Sequence, residues 1–237
     1  MTWVAGVDAC KGGWFVVATD VRSGRTIHAV KKTFSEVLAM GESPRIVAVD
    51  IPIGLPEKAR RGGRACDREA RGLVGHRHPS VFSPPVRAAL DAATWAEANE
   101  VNKASSPEGV GLSRQSWGLA PKIREVDKAL GKEARQRVRE CFPELSFATM
   151  AGHPLAHGKR GVSGIQERVT LVVEAGFPDP LRARGSWPAS QAAIDDILDA
   201  HACCWSAVRI FKGEAHHLPA EAGFEHDKRG LPMEIWY

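Results

Sequence analysis

The chain has 237 residues, of which 43% are hydrophobic, and a formal net charge of +4 at pH 7. Such a length and composition allow one sizeable core with an insertion or two small domains, of which we favour the first, and the chain has no low-complexity tract. The mild positive charge permits a polyanionic partner. No apolar stretch approaches the roughly 20 residues of a membrane span, and no signal-peptide pattern is present. The five cysteines have no CxxC spacing, so we expect reduced thiols in a cytoplasmic protein without a membrane partner.

The first fifty residues predict a sheet with one helix. Two apolar runs, 2–8 and 13–19, flank a glycine pair and predict a hairpin, and a third strand is expected at about 25–30. Thr33 and Glu36 have the spacing of a capping box, which predicts a short helix before the strand that ends at Asp50. Because a helical crossover favours a parallel pair, we expect this strand beside the one that ends at Asp8.

Carboxylates are expected to converge at the edge of this sheet. Asp8 and Asp50 each end an apolar run, so parallel strands would bring both acids to the same edge. The last helix, predicted from about Ser190 to Lys212 and closed by Gly213, carries three acids on one face: Asp195, Asp196 and Asp199. Grouped acids are costly without a cation, so a metal site is predicted. The alternatives are turn caps for Asp8 and Asp50, and a solvated face for the helix acids.

The pattern from 52 to about 135 changes to helices and loops rich in Pro, Gly and Arg. Pro56 is expected to open a helix with a dense run of basic residues, which fits either phosphate binding or a solvated face. The candidate substrate-binding residues are Arg64, Arg68, Arg77, Arg114, Gln115 and Lys122. Beyond the insertion we predict a strand over 138–142 and a helix over 165–175. His201 lies in the apolar stripe of the last helix and is interpreted as a core histidine.

Several ordered segments resemble a known family. They are GVDACKGGW (6–14), VDIPIGLP (49–56), CDREARGLVG (66–75), HPSVFSPPVR (78–87), GLSRQSWGLAPKIREVD (111–127), FPELSF (142–147) and DDILDA (195–200). Together they resemble the domain-of-unknown-function 429 family, described as predicted RNase H-like nucleases. The resemblance implies an α/β fold with an RNase H-like mixed five-stranded sheet flanked by helices. One domain, 1–237, would then contain a helical and loop insertion after the fourth strand, about 52–135, and a tail of about 213–237.

The resemblance also implies a site and a reaction. In such folds the acid of the first strand, here Asp8, is the central metal ligand, and Asp50, Asp196 and Asp199 complete the set, with Glu144 as a further catalytic candidate. Two Mg²⁺ or Mn²⁺ ions would promote hydrolysis of a phosphodiester in a nucleic acid or nucleotide. Two alternatives remain, a non-catalytic nucleic-acid or nucleotide-binding module and an actin-like phosphotransferase. The phosphotransferase should contain two related halves, and GVDACKGGW occurs once. The sequence leaves open whether the chain forms a homo-oligomer.

Overall fold

The computed structural model describes residues 1–221 and 225–237 and divides into two compact units. The first unit comprises Met1–Asp50, Ala129–His216 and Trp236–Tyr237. The second comprises Ile51–Lys128 and His217–Ile235. The insertion expected at about 52–135 therefore falls largely in the second unit, to which a second stretch of chain also contributes. None of the helices in these described ranges is long and apolar enough to cross a membrane.

The first unit contains a mixed five-stranded sheet. In chain order its strands are β1 (Trp3–Cys10), β2 (Gly13–Asp20), β3 (Thr26–Lys31), β4 (Val47–Val49) and β5 (Val138–Glu140). Two short strands, β6 (His217–Leu218) and β7 (Ile235–Trp236), are not part of this sheet. The order in the sheet is β3-β2-β1-β4-β5. The first three strands pair antiparallel, whereas β1 with β4 and β4 with β5 pair parallel. The predicted hairpin, the third strand and the parallel placement of the strand before Asp50 are confirmed.

Ten α-helices are formed by the described residues. They are α1 (Phe34–Leu38), α2 (Ala65–Leu73), α3 (Trp95–Ala104), α4 (Arg114–Gly118), α5 (Ala120–Ala129), α6 (Ala134–Arg137), α7 (Pro143–Ala151), α8 (Val162–Glu174), α9 (Pro180–Ser186) and α10 (Ile194–Lys212). Short 3₁₀ turns occupy Gly75–Ser80 and Arg87–Asp91. The Thr33 hydroxyl accepts a hydrogen bond from the Glu36 amide at the start of α1, as its spacing predicts.

Helices cover both faces of the sheet. Successive side chains of a strand point to opposite faces, and in β2 the Phe15 side chain packs in the cluster with α10 while Trp14 contacts Phe34 of α1. α10 packs on β1, β2 and β4, and also contacts α7, α8 and α9. This long helix is the main partner of the central strand. The α/β class with a mixed five-stranded sheet flanked by helices is thus confirmed.

Two predicted helix starts are wrong. The basic segment after Pro56 is not helical until Ala65, because Gly62 and Gly63 take positive φ angles of 77° and 79°, which are incompatible with a right-handed helix. The last helix begins at Ile194, not near Ser190. Ala193 is extended there, and the Asp196 carboxylate accepts from its amide at 2.8 Å. The predicted end is confirmed, since Gly213 is the left-handed C-cap.

Buried ion pairs join the two stretches of the second unit. The Asp227 carboxylate accepts from the Leu55 amide and from the Arg87 guanidinium. Arg87 also donates to Asp127 at 2.9 Å, and Arg229 contacts the same Asp127 carboxylate. These charge-assisted hydrogen bonds connect residues distant in sequence and fix the 225–235 segment within its unit.

Candidate functional site

Asp8 and Asp50 lie side by side in the first unit. β1 and β4 pair with Gly6 opposite Ala48 and Val7 opposite Val49, so the next pair in this register is Asp8 with Asp50. The Asp50 amide continues the ladder by donating to the Val7 carbonyl at 3.0 Å. Paired residues of parallel strands point to the same face of a sheet, and so do residues two apart in one strand. Both carboxylates therefore project from the face to which a side chain at position 6 would point. The predicted convergence of these two acids is therefore present.

α10 brings further carboxylates to the same face. A Cβ atom on Gly6 would lie 1.9 Å from the Cys204 amide nitrogen and 2.2 Å from the Ala200 carbonyl oxygen, so only glycine permits the helix to lie this close. Two residues earlier in β1, Val4 packs in a cluster with Cys203 and with Ala207, which lies about a turn further along α10. The helix thus crosses β1 in the opposite chain direction, and its first turns, which carry Asp196 and Asp199, lie over Asp8.

The acids of this cluster raise one another's pKa values. Burial raises the pKa of Asp8 well above its ordinary value, and the charges of Asp50 and Asp199 add to the shift. Burial followed by the charge of Asp199 raises the pKa of Asp50 to about 7. Burial is also the main cause that raises the pKa of Asp196 to about 6 and that of Asp199 above its usual range. Such crowding disfavours the ionised forms unless a cation is close.

A lysine that the sequence reasoning missed supplies one cation. Lys159, in the loop between α7 and α8, places its Nζ atom 2.5 Å from Asp199 Oδ2. The charges of Asp199, Asp8 and Asp50 all raise the pKa of Lys159, with Asp199 the largest contributor. Asp199 is 3% exposed, so this is a buried charge-assisted contact. The ammonium and the acids therefore form one electrostatic group.

Glu144 is held by a second missed residue. It lies in the first turn of α7, and both of its carboxylate oxygens accept from Arg168 Nη2, at 3.0 and 2.8 Å. Arg168 is fully buried in α8. The charge of Glu144 nevertheless acts on the cluster, since it contributes to the raised pKa values of Asp50 and Asp199. Glu140 of β5, a third acid not singled out from the sequence, also raises the pKa of Asp50.

The candidate substrate-binding residues all lie in the second unit. Arg64 is 2% exposed and donates to Asp67 and to the Ile53 carbonyl, so its guanidinium is committed inside that unit. Arg68 is exposed with one nitrogen on the Gly63 carbonyl. The other positions are a half-buried Arg77, an exposed Arg114 stacked on Trp95, an exposed Gln115, and Lys122 paired with Glu125.

The chemistry of the first-unit carboxylates fits a hard divalent cation. Within residues 1–221 and 225–237, no group of three or more His, Cys, Asp or Glu side chains is already arranged to hold a metal ion. The donor set is nonetheless made of carboxylate oxygens, the ligands that Mg²⁺ and Mn²⁺ prefer. Burial, and after it the charges of neighbouring acids, raises the pKa values of Asp8 and Asp50, and a cation close to them would favour their ionised forms.

Only part of this arrangement had a signal in the sequence. In α8 the apolar positions 165, 169 and 172 form a helical stripe, and position 168 lies within it. A charged residue in that stripe, Arg168, indicates a buried ion pair but does not identify the acid that forms it. Lys159 had only a weaker signal, a basic pair in a glycine-containing segment. Its contact depends on how the loop is folded.

Comparison with known proteins gives one match. The family model described as "Protein of unknown function (DUF429)" matches residues 6–223. Neither the curated proteins nor the solved structures give a match.

Proposed function

This chain belongs to the DUF429 family of proteins of unknown function, and we propose that it is a metal-dependent phosphodiester hydrolase of the RNase H-like type. One observation carries the proposal: carboxylates from β1, the end of β4 and the start of α10 are buried together, and the charge of Asp199 adds to the raised pKa values of Asp8 and Asp50. A protein that merely needed stability would gain by replacing such acids. Their convergence is therefore best explained by a cation-dependent reaction.

The order of the strands supports the RNase H-like assignment. Three antiparallel strands are followed by two parallel ones, with the acids on the first and fourth strands. In the proposed site Asp8 and Asp50 hold the divalent ion from the sheet, and Asp196 and Asp199 approach it from α10. Mg²⁺ or Mn²⁺ would supply Lewis-acid activation of water and of the scissile phosphate.

Positively charged residues of each unit, taken separately, favour an anionic substrate. Lys159 places a positive charge at the cluster, where a phosphate oxygen can accept a hydrogen bond from it. Arg68 and Arg114 are exposed cations of the second unit and remain candidates for phosphate contacts along a nucleic acid or nucleotide. Phosphate contacts of this kind position a substrate without selecting its sequence.

The first test is a titration of Mn²⁺ and Mg²⁺ into chelator-treated protein, followed by cleavage assays. Single-stranded and duplex DNA, RNA, a branched junction and bis(p-nitrophenyl) phosphate would be offered as substrates. Asp8→Asn is expected to abolish saturable metal binding and to lower the cleavage rate at least 100-fold, because the central ligand is lost. Asp195→Asn, a neighbouring acid outside the proposed ligand set, is the matched control and should keep both. Metal-dependent cleavage that survives Asp8→Asn would refute the proposal.

A second candidate function is a non-catalytic nucleic-acid or nucleotide-binding module. The contact of Lys159 with Asp199 favours it, because part of the acidic charge is already neutralised without a metal. Binding would then weaken steeply with salt, as for any phosphate-directed contact, and no substrate would turn over. Salt-dependent binding that Asp8→Asn leaves unchanged is the result that would favour this function.

A further inference from the structure

The loop between α7 and α8 presents two adjacent basic residues to the acids of α10. Lys159 Nζ lies 2.5 Å from Asp199 Oδ2, and the Lys159 side chain is 38% exposed. Arg160 Nε lies 4.0 Å from Asp195 Oδ2, and its side chain is 90% exposed. The two contacts differ in kind, because only Lys159 reaches a carboxylate that is itself buried. Lys159 is therefore part of the site, whereas Arg160 forms a surface pair of little energetic consequence.

Contacts with α8 hold the backbone of this loop in place. The two carboxylate oxygens of Glu167 accept from the Ala156 and His157 amides at 3.1 and 3.2 Å. Arg168 Nη1 donates to the His157 carbonyl at 3.2 Å. The backbone of the loop also touches α8 directly, since a Cβ atom on Gly164 would lie 2.0 Å from the Gly158 carbonyl oxygen. Lys159 thus directly follows three residues whose backbone is held against α8.

One buried arginine links this loop to the acidic cluster. While Arg168 Nη1 contacts the loop, its Nη2 binds both oxygens of Glu144. The Arg168 charge also lowers the pKa of Asp199, against the raising effect of burial. The same side chain therefore positions the Lys159 loop and stabilises the ionised form of the acid that Lys159 contacts.

The charge of Lys159 disfavours a second metal ion beside Asp199. Asp8, Asp50, Asp196 and Asp199 carry four negative charges when ionised, and Lys159 offsets one of them. One oxygen of Asp196 also accepts from the Ala193 amide at the start of α10, which engages that oxygen without removing the charge. A second ion beside Asp199 would also be repelled by the ammonium already in contact with that carboxylate.

Building on the proposed function, we propose that Lys159 is the second cation of this site. One divalent ion binds on Asp8 and Asp50, and the Lys159 ammonium takes the place on Asp199 that a second ion would otherwise occupy. Lys159 thereby sets the number of metal ions to one per chain.

The test counts Mn²⁺ ions on the full chain by equilibrium dialysis and records their electron paramagnetic resonance spectrum. The wild-type chain is expected to bind one isolated ion. Lys159→Met should bind two, with the exchange-coupled spectrum of neighbouring ions, because the Asp199 oxygen that Lys159 contacts becomes free to bind a second ion. Lys159→Arg, which keeps the charge, should again bind one. Arg160→Met removes the adjacent positive charge and serves as the matched control, with one ion expected.

Each result decides a different claim. Two coupled ions in the wild-type chain, or one ion in a folded Lys159→Met chain, would overturn the role of Lys159 while leaving metal binding intact. No saturable binding in the wild-type chain would overturn the proposed function itself, and this inference with it. The wild-type count needs no variant, so the inference remains open to refutation even if Lys159→Met does not fold.

Discussion

Buried charges in the first unit are balanced in two different ways. Glu144 and Arg168 form a closed pair in which both carboxylate oxygens accept from the guanidinium. By contrast, the single positive charge of Lys159 acts on several acids, and the pKa values of Asp8 and Asp50 remain raised although Lys159 lowers them. A pair of the first kind is expected where stability alone matters, whereas an unbalanced group is typical of a binding or catalytic site.

This imbalance predicts that removing one acid stabilises the protein without metal. Above pH 7 the folded chain must ionise Asp50, whose pKa is raised to about 7, while in the unfolded chain the same group ionises near its ordinary value. Asp50→Asn should therefore raise the free energy of unfolding at pH 8 by up to about 4 kcal/mol, since the pKa of Asp50 is raised from 3.8 to about 7 and each pKa unit corresponds to about 1.4 kcal/mol. Denaturant unfolding in chelator would measure it. The gain should vanish near pH 4, and a loss of stability at pH 8 would contradict the prediction.

The site depends on the contact between α10 and β1. Small residues on both elements let the helix backbone lie against the strand, with Gly6 facing Ala200 and Cys204. Farther along, Asp8 is placed under the first turns of α10, which carry Asp196 and Asp199. The distance between strand and helix therefore determines whether carboxylates from the two elements act on one another.

Gly6→Ala should separate these two elements. The added methyl group would meet helix backbone atoms, which cannot rotate away as a side chain does. We expect a loss of stability at or above the upper end of the roughly 1–3 kcal/mol typical of overpacked cores. Metal affinity should fall as well, because the acids of α10 would move away from Asp8. Thermal unfolding and calorimetry would measure both effects.

The matched control is Gly41→Ala. Gly41 has open space where its Cβ atom would lie and does not take a positive φ angle. This variant should change stability little. Equal behaviour of the two alanine variants would show that the close approach at Gly6 does not limit the packing of α10.

At the scale of the whole molecule, the chain separates into a sheet-containing unit with the acidic cluster and a second unit with most of the candidate phosphate contacts. The first unit also contains a pair of histidines, His28 of β3 and His201 of α10. His201 is fully buried in α10, its Nδ1–H donates to the Ile197 carbonyl at 2.7 Å, and its Nε2 accepts from His28 Nε2–H at 3.1 Å. The interpretation of His201 as a core histidine is confirmed.

This histidine pair predicts acid sensitivity of the fold. Burial is the main cause that lowers the pKa of His201 to about 4, so between pH 6.5 and 4 the unfolded chain binds a proton that the folded chain does not. Stability contributed by neutral His201 is therefore present above pH 6.5 and lost as the pH falls, by about 2–3 kcal/mol in total. The raised pKa values of Asp50 and Asp196 have the opposite effect on the free energy of unfolding, which they increase as the pH falls over part of this range.

The contribution of His201 is isolated by comparison with a variant that cannot titrate. Urea unfolding of wild type and His201→Leu at several pH values from 4 to 8 should give a difference in free energy that changes by that amount between pH 6.5 and 4. A difference independent of pH would show that His201 is protonated equally in both states.

Sequence patterns alone determined the sheet and the position of its two acids. Alternating or continuous apolar runs fix strands because burial requires them, and a helical crossover favours the parallel pair that puts Asp8 beside Asp50. The end of α10 could also be predicted, since Gly213 supplies the left-handed cap. The starts of α2 and α10 could not be predicted, because they depend on glycine conformations and on the Ala193–Asp196 contact.

Only the tertiary structure decided which charges meet. Lys159 lies 40 residues from Asp199, and Arg168 lies 24 residues from Glu144. No local periodicity encodes such contacts, because they arise from the packing of α8 under a loop and of α10 on β1. The sequence could therefore predict where acids accumulate, while the fold determined which of them meet a positively charged partner. The reason is physical: burial and distance set the interaction between charges, and both are properties of the packed chain.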